Sequence, residues 1–457
     1  MNYPFFFSFR ILFSTLIILA SVSSCRTKDE ESRWLRGNLH THTLWSDGDD
    51  FPESVARWYK EKNYDFLVFT DHNILLETPT TGPVRGNQVL DDGELWQRLS
   101  KDHPAVKKYT GYFGDGWADI RPGKDDNVLV RLKPLDEFRH MFEEPGEFLL
   151  MMGNEITDQQ AVHVVAIHQD EVIPAVGGSP GERAEMIKEI VHRVDDYRER
   201  SGRNTWPVLA HPNFTWAITA EKMLEVEDLR YFELYNGHPA VNNRGDDFRA
   251  GTERIWDIVL SMRLSSGNGN ILYGLATDDT HNYHASGATP GRGWVMVRSN
   301  ELETGSILDA IDRGDFYSST GVTLNDISFD GNAITVEIKP EEGVTYTTEY
   351  IGTLSGFDAS STPTLNGEGN DIANTTRTYS DEIGQVLAVS NDLRSSYTYT
   401  GDELYVRVRI TSSADQVDRI TGDVIGRQIA WVQPVIPGTA MISQNVSKVR
   451  PSKHQNR

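Results

Sequence analysis

The chain has 457 residues, with 67 acidic against 44 basic side chains, a formal net charge of −23 and a single cysteine. Such an acidic balance argues against nucleic acid as a partner, because a phosphate backbone needs a positive footprint. One cysteine excludes an internal disulfide, a thiolate cluster and a Cys nucleophile elsewhere in the chain, so any bound metal must be held by His, Asp and Glu.

Arg10 precedes the apolar run Ile11 to Val22, which is too short to span a bilayer and ends in Val22-Ser23-Ser24-Cys25. This resembles a bacterial lipoprotein signal. The resemblance implies removal of residues 1–24 as a signal peptide, a lipid on Cys25 as membrane anchor, and a cell-envelope location as an outer-membrane lipoprotein. The alternative is an ordinary secretory signal in which Cys25 is incidental. The tether, 25–33, carries Lys28-Asp29-Glu30-Glu31 and is similar to the tag that directs some lipoproteins of the Bacteroidetes type to the cell surface.

From 34 to 323, short apolar runs alternate with amphipathic ones. His40 and His42 alternate at a strand end, so both imidazoles leave one face. Pro52 to Lys62 reads as a helix with its proline in the first turn, and Phe66 to Phe69 as a buried strand that delivers Asp71 and His72. Further strands are expected at 148–152, 162–167, 207–210, 231–235, 271–276 and 294–297, and helices at 135–142, 182–200, 220–226, 249–264 and 301–312. Strand–helix alternation implies an α/β fold with a parallel sheet, here a distorted (β/α)7-8 barrel. Residues 77–133 break the rhythm with Gly, Asp, Thr, Pro and scattered aromatics, and are expected to form a folded flap inserted beside the site. After Thr323 the helical pattern stops, and alternating short strands predict a C-terminal β-sandwich over 324–440, then a polar tail over 441–457.

Ligand-type side chains recur where predicted strands end: Asp47 in the loop after His42, Glu155 in Gly153-Asn154-Glu155, His211 in Ala210-His211-Pro212, and Asp279 with His281 in Asp278-Asp279-Thr280-His281. Carboxylates and imidazoles at successive strand ends are hard to explain as solitary polar residues.

In combination and order, His40-Thr-His42, Thr70-Asp71-His72, Gly153-Asn154-Glu155, Ala210-His211-Pro212 and Asp279-Thr-His281 resemble the PHP (polymerase and histidinol phosphatase) family of metal-dependent hydrolases. The resemblance covers about residues 34–323 and implies two or three divalent ions (Zn, Mn or Fe). By motif, His40, His42, Glu155 and Asp279 would hold one ion. Glu155 would bridge to a second held by His163 and His211. Asp47, His72 and His281 would hold a third, with Asp47 standing where some members have histidine. Spacing from Glu155 favours His163, although His168 lies nearer its strand's end; Asp278 is an alternative to Asp279.

The resemblance implies a metal-dependent hydrolase, foremost a phosphoesterase (phosphatase or phosphodiesterase) using a metal-bound hydroxide on a small-molecule or glycan-linked ester. Trp256-Asp257 and Asp278-Asp279-Thr-His281 look most like the branch that includes carbaryl hydrolase, which keeps a carboxyl-ester, carbamate or amide hydrolase as the alternative. A surface glycan-binding protein with an auxiliary barrel is a second alternative. His238 (or His168 or His284) is the candidate proton donor to the leaving group, and Arg292 the candidate clamp for an anionic substrate oxygen. Asp71 is the candidate that orients a ligand imidazole. For Asp71, His238 and Arg292 an ordinary polar loop role is equally consistent with the sequence.

Overall fold

Apolar runs bounded by turn residues form the strands, and several are buried at every position, as strands covered on both faces must be. They are β1 (Arg33–Asn38), β2 (Phe66–Phe69), β3 (Leu149–Thr157), β4 (His163–Ile167), β5 (Trp206–Leu209), β6 (Tyr231–Asn236), β7 (Tyr273–Thr277), β8 (Trp294–Ser299) and β9 (Phe316–Ser319). This is a computed structural model, and it describes Met1 and residues 32–77, 85–114, 116–267 and 270–438. The expected signal peptide over 1–24, the lipid-bearing Cys25 and the polar tail over 441–457 lie outside the described residues, as does all of the tether but Ser32 and Arg33.

The C-terminal part adds β10 (Tyr346–Leu354), β11 (Gln385–Ser390), β12 (Glu403–Val417) and β13 (Val424–Val435). All of these strands join one thirteen-stranded sheet in the order β7-β6-β5-β4-β3-β2-β1-β8-β9-β13-β12-β10-β11.

The α/β class holds, but the sheet is mixed where a parallel one is expected from the sequence. β1, β2 and β3 pair in parallel, as do β5, β6 and β7. β4 is antiparallel to both neighbours, and β8 is antiparallel to β1 and β9. The reason for β4 is its connection: Asp158–Val162 is far shorter than the crossover that a parallel neighbour requires. Beyond their ladders, the chain after β1 meets the chain after β7 through one parallel bridge, Thr41 with Thr280.

Helices are few and pack on this sheet. In Arg183–Ser201 the buried residues Ile187, Ile190, Val191 and Val194 follow three- and four-residue spacing, giving one apolar stripe. Within the expected flap, Gln88–Asp91, Glu94–Ser100, Asn127–Arg131 and Ile120–Pro122 form a separate four-stranded sheet, accompanied by the helix Pro104–Phe113. Its Leu95, Val106 and Tyr109 share a core with Trp45, Phe51, Val55 and Tyr59. Gln88 Nε2 donates to the carbonyls of Leu44 and Trp45, so this insert braces the loop that follows His42.

Beyond Thr323, a three-stranded sheet (Leu324–Phe329, Ala333–Ile338, Arg394–Thr398) faces β10, β12 and β13 across Ile334, Val336, Val406, Val408 and Ile410. β13 pairs directly with β9, so this layer continues the main sheet, and the described residues from Ser32 to Gly438 form one compact unit.

Candidate metal centre

Each proposed ligand is delivered by a strand end or the loop after it. β1 runs into His40 and His42; the loop after them returns with Asp47. Gly48 permits that return, since a Cβ there would sit 2.6 Å from the carbonyl carbon of His42. β2 leads to His72, which forms a parallel bridge with Glu155 on β3. β5 and β7 end in His211 and Asp279, both with positive φ (25° and 49°), a backbone region costly for non-glycine residues and often found where a site dictates geometry.

The side chains converge. His40 Nε2 lies 3.1 Å from His42 Nε2, 3.3 Å from Asp279 Oδ1 and 3.5 Å from Glu155 Oε2. His42 Nε2 is 3.1 Å from Asp279 Oδ1 and 3.5 Å from Glu155 Oε2. Around the other carboxylate oxygen, His163 Nδ1 stands at 2.8 Å and His211 Nε2 at 3.0 Å from Glu155 Oε1. His72 Nδ1 is 2.6 Å from Glu155 Oε2 and His72 Nε2 is 3.4 Å from Asp47 Oδ2; His281 Nε2 is 3.3 Å from Asp47 Oδ1. Three groups therefore have donor atoms within 4.8 Å of one another: His40, His42 and Glu155; His72, Glu155 and His163; and His42, Asp47, His72 and His281.

These residues fit divalent ions. A tetrahedral site with metal–ligand bonds of ~2.0–2.1 Å has edges of about 3.3–3.4 Å between donors, and the two imidazoles, 3.1 Å apart, stand 3.1–3.5 Å from Glu155 Oε2 and Asp279 Oδ1. Glu155 Oε2 is buried and accepts no well-aligned hydrogen bond, and the groups that face it are the imidazoles of His40, His42 and His72, a nitrogen-lined position suited to a shared cation. The donor set is entirely nitrogen and oxygen, which suits Zn, Mn or Fe.

Electrostatics agree with a cation-binding role. Burial alone would make Glu155 and Asp279 easier to protonate, but surrounding imidazoles hold both carboxyls well below the usual carboxylate range. Burial disfavours a charged His40, yet Asp279, Glu233 and Glu155 outweigh it and hold that imidazole well above its ordinary value. Against the same burial, Glu155 and Asp47 push His72 up to about 10. His42, buried beside His281 and His72, is pushed down to about 3. A divalent cation fills the role that a proton otherwise plays between such carboxylates.

His163 and His168 separate cleanly. β4 is antiparallel, so its first residue, not its last, faces the cluster. His168 lies at the other end, with Nδ1 3.3 Å from the Asn204 carbonyl. Asp278 is likewise apart: it accepts the amides of Gly291, Arg292 and Gly293 and the Tyr59 hydroxyl, pinning that loop. His284 faces Asp50 at 3.4 Å, outside the three groups.

Two expected roles change. Arg292 is buried and fully engaged: Nη2 pairs with Asp418, Nε donates to Thr289 Oγ1 and Nη1 to the Gly237 carbonyl. Its guanidinium joins two parts of the fold and is not free to clamp substrate. Asp71 accepts from Thr43 N, Thr43 Oγ1 and Ser46 Oγ, and reaches an imidazole only through Ser46 Oγ, 3.3 Å from His42 Nδ1. The carboxylate that does hold a ligand ring directly is Glu233, which the sequence reading passed over. Its Oε1 is 2.6 Å from His40 Nδ1, and it also accepts Thr277 Oγ1, His211 N and Asn236 Nδ2. The signal was available: an acid inside the otherwise apolar Tyr231-Phe232-Glu233-Leu234 needs a partner of high value to be buried. Asn236 Nδ2 reaches Asp279 Oδ2 at 3.1 Å, and the His238 ring stands 5.5 Å from that of His281.

No protein-family model matches the chain, and no curated protein matches it. Among solved structures it is similar to a two-domain protein containing a predicted PHP-like metal-dependent phosphoesterase from Bacteroides vulgatus, at 13% identity and a TM-score of 0.34, over 87% of this chain and 94% of that one.

Proposed function

We propose that the protein is a metal-dependent hydrolase of phosphate esters, a phosphatase or phosphodiesterase. The observation that carries this reading is the buried group His40, His42, Glu155 and Asp279, in which both imidazoles stand within 3.5 Å of both carboxylates and Glu155 is shared with His72, His163 and His211. Divalent ions held there would supply a water acidified toward neutral pH and polarise the ester oxygens. Glu233 fixes the His40 ring through Nδ1 so that Nε2 faces the cluster; Ser46, backed by Asp71, faces His42 Nδ1 in the same way.

His238 stands at the rim. Its Nδ1 accepts the Ala240 amide, so the neutral ring carries its proton on Nε2, and burial lowers its pKa. That tautomer donates a hydrogen bond to a substrate oxygen, a charge-stabilising role in place of the proton delivery expected from sequence.

The Gly177-Gly178-Ser179-Pro180-Gly181 string has the spacing of a serine-hydrolase elbow, but Ser179 is exposed and spends its hydroxyl on Glu182 in a helix-capping box. Asp257, part of the likeness to the carbaryl-hydrolase branch, is bound by Arg407 and gives the carbamate alternative no support.

Purified protein should contain at least two transition-metal ions per chain. It should cleave aryl phosphomonoesters or phosphodiesters faster than aryl acetates, and lose turnover with chelator. His40→Ala and Asp279→Ala should each lose metal and turnover together. Phosphoester cleavage by metal-free protein would overturn the reading, and cleavage of aryl acetates alone would replace it with the carboxyl-ester alternative. We also propose that a lipid on Cys25 anchors the chain to the membrane once the signal is gone; among the described residues no helix is long and apolar enough to cross a membrane. Cys25→Ser should move the protein to the soluble fraction, and unchanged fractionation would refute the anchor.

A further inference from the structure

A cavity of about 810 Å³ lies between the loop after β6 and the strands β12 and β13, and its lining includes Asn236 and His238 at the rim of the metal centre. Its volume is that of a small-molecule site. In a chain of net charge −23, its lining holds five arginines (Arg244, Arg254, Arg292, Arg409, Arg427) against one acid, Glu253.

Three of these arginines are neutralised: Arg292 by Asp418, Arg409 by Glu253 and Glu349, and Arg427 by Asp415. Arg254 donates only to the carbonyls of Ile383, Tyr379 and Ser380. Arg244 has no hydrogen bond or ion pair among the described residues. Its guanidinium lies against the backbone of Gly426, where an added Cβ would meet Nη2 at 2.3 Å. Trp431 lines the same cavity, is 4% exposed and stacks on Tyr235 (ring centroids 5.9 Å apart), yet its Nε1 has no acceptor. A buried indole N–H without an acceptor and the Arg244 guanidinium without a partner among the described residues are donors that one kind of group, an anionic oxygen, would satisfy, with the Arg254 charge, bonded only to carbonyls, beside them.

We propose that this cavity binds a small organic oxyanion, bearing a carboxylate, sulfate or phosphate group, with Arg244 as its principal charged contact. The planar guanidinium fork matches the paired oxygens of such groups. The cavity shares Asn236 and His238 with the rim of the metal centre, but the charge proposed to hold the oxyanion lies on Arg244, and its binding does not depend on the hydrolase reading.

The test is calorimetric titration of the metal-loaded full chain with glucuronate, glucose 6-sulfate and the non-hydrolysable phosphonate isostere of glucose 6-phosphate, with glucose as the neutral control. Oxyanion binding at the metal centre is common to all variants, so the comparison between variants isolates the cavity. Arg244→Ala should weaken at least one of the three charged sugars tenfold or more, while metal content stays at the wild-type value. Gly426→Ala, which displaces the guanidinium but keeps its charge, should weaken the same ligand. Whichever charged sugar responds identifies the oxyanion. Equal binding of glucose, or affinities unchanged in both variants, would overturn the proposal.

Discussion

Arg407 and Asp257 tie the C-terminal strands to the helix Thr252–Ser265, and breaking that pair should destabilise the whole described unit. Both are buried, at 2% and 4% exposure. Arg407 Nε and Nη2 donate to the two oxygens of Asp257, each at 2.7 Å, and the Tyr405 hydroxyl donates to Asp257 Oδ1 at 2.7 Å. Removing the guanidinium leaves a buried carboxylate with one remaining neutral donor. The cost of stranding a buried charge in this way is ~3–5 kcal/mol. Arg407→Ala should therefore lower the unfolding free energy by about that amount. Replacing both residues by apolar groups of similar size (Arg407→Met with Asp257→Leu) removes the stranded charge and should recover most of the loss. Urea denaturation followed by tryptophan fluorescence reads both. Because β13 pairs with β9 within one sheet, a single transition is expected in each variant. A loss under ~1 kcal/mol, or an early transition confined to the C-terminal part, would refute the coupling. For the same reason a chain truncated after Thr323, which leaves Asp257 without Arg407 and β9 without β13, should be insoluble.

Glu233→Gln removes the charge behind His40 but keeps a hydrogen-bond acceptor, and should lower metal affinity ~10–100-fold, read by competition with a chromophoric chelator; unchanged affinity would show the carboxylate to be structural only. Burial pushes the Glu53 carboxyl up to about 7, despite bonds from Tyr109 and Trp117. The folded state then keeps a proton that the unfolded chain has lost between pH ~4.5 and ~7, so this group's contribution to stability falls as pH rises through that window. Glu53→Gln should match wild type near the lower limit and be more stable above the upper one by up to about 3 kcal/mol; an equal difference at pH 5 and pH 8 would refute the burial penalty. His238→Ala should lower kcat by ~10²-fold with metal content unchanged, and loss of metal in this variant would place His238 among the ligands.

Much of the fold was legible because local patterns dominate it. Phe66–Phe69 is a strand with the expected limits, and in the C-terminal region of short strands Asp330-Gly331-Asn332 is the turn before Ala333–Ile338, in which Asp330 Oδ1 accepts the amides of Asn332 and Ala333. Boundaries slipped where a residue's identity was neutral, as at Leu135–Phe138, where the helix tightens after one turn. What local pattern cannot carry is strand direction. An apolar run reads the same upward or downward, and only the short Asp158–Val162 connection shows that β4 is reversed.

That reversal is also what separates His163 from His168. With the strand read as parallel, its carboxyl end faces the site and His168 gains weight; with the strand antiparallel, the amino end faces the site and His163 meets Glu155. Arg292 was misread for a related reason: a cation near a candidate site suggests an anionic ligand, but Asp418 lies 126 residues later and no local pattern joins them. Glu233 is the opposite case, a buried acid flanked by Phe232 and Leu234 whose cost had to be met by something nearby. The sequence therefore names the atoms that can bind a cation, while the direction of one strand brings His163 rather than His168 to Glu155, Glu233 fixes the His40 ring, and Asp418 takes Arg292 out of reach of a substrate.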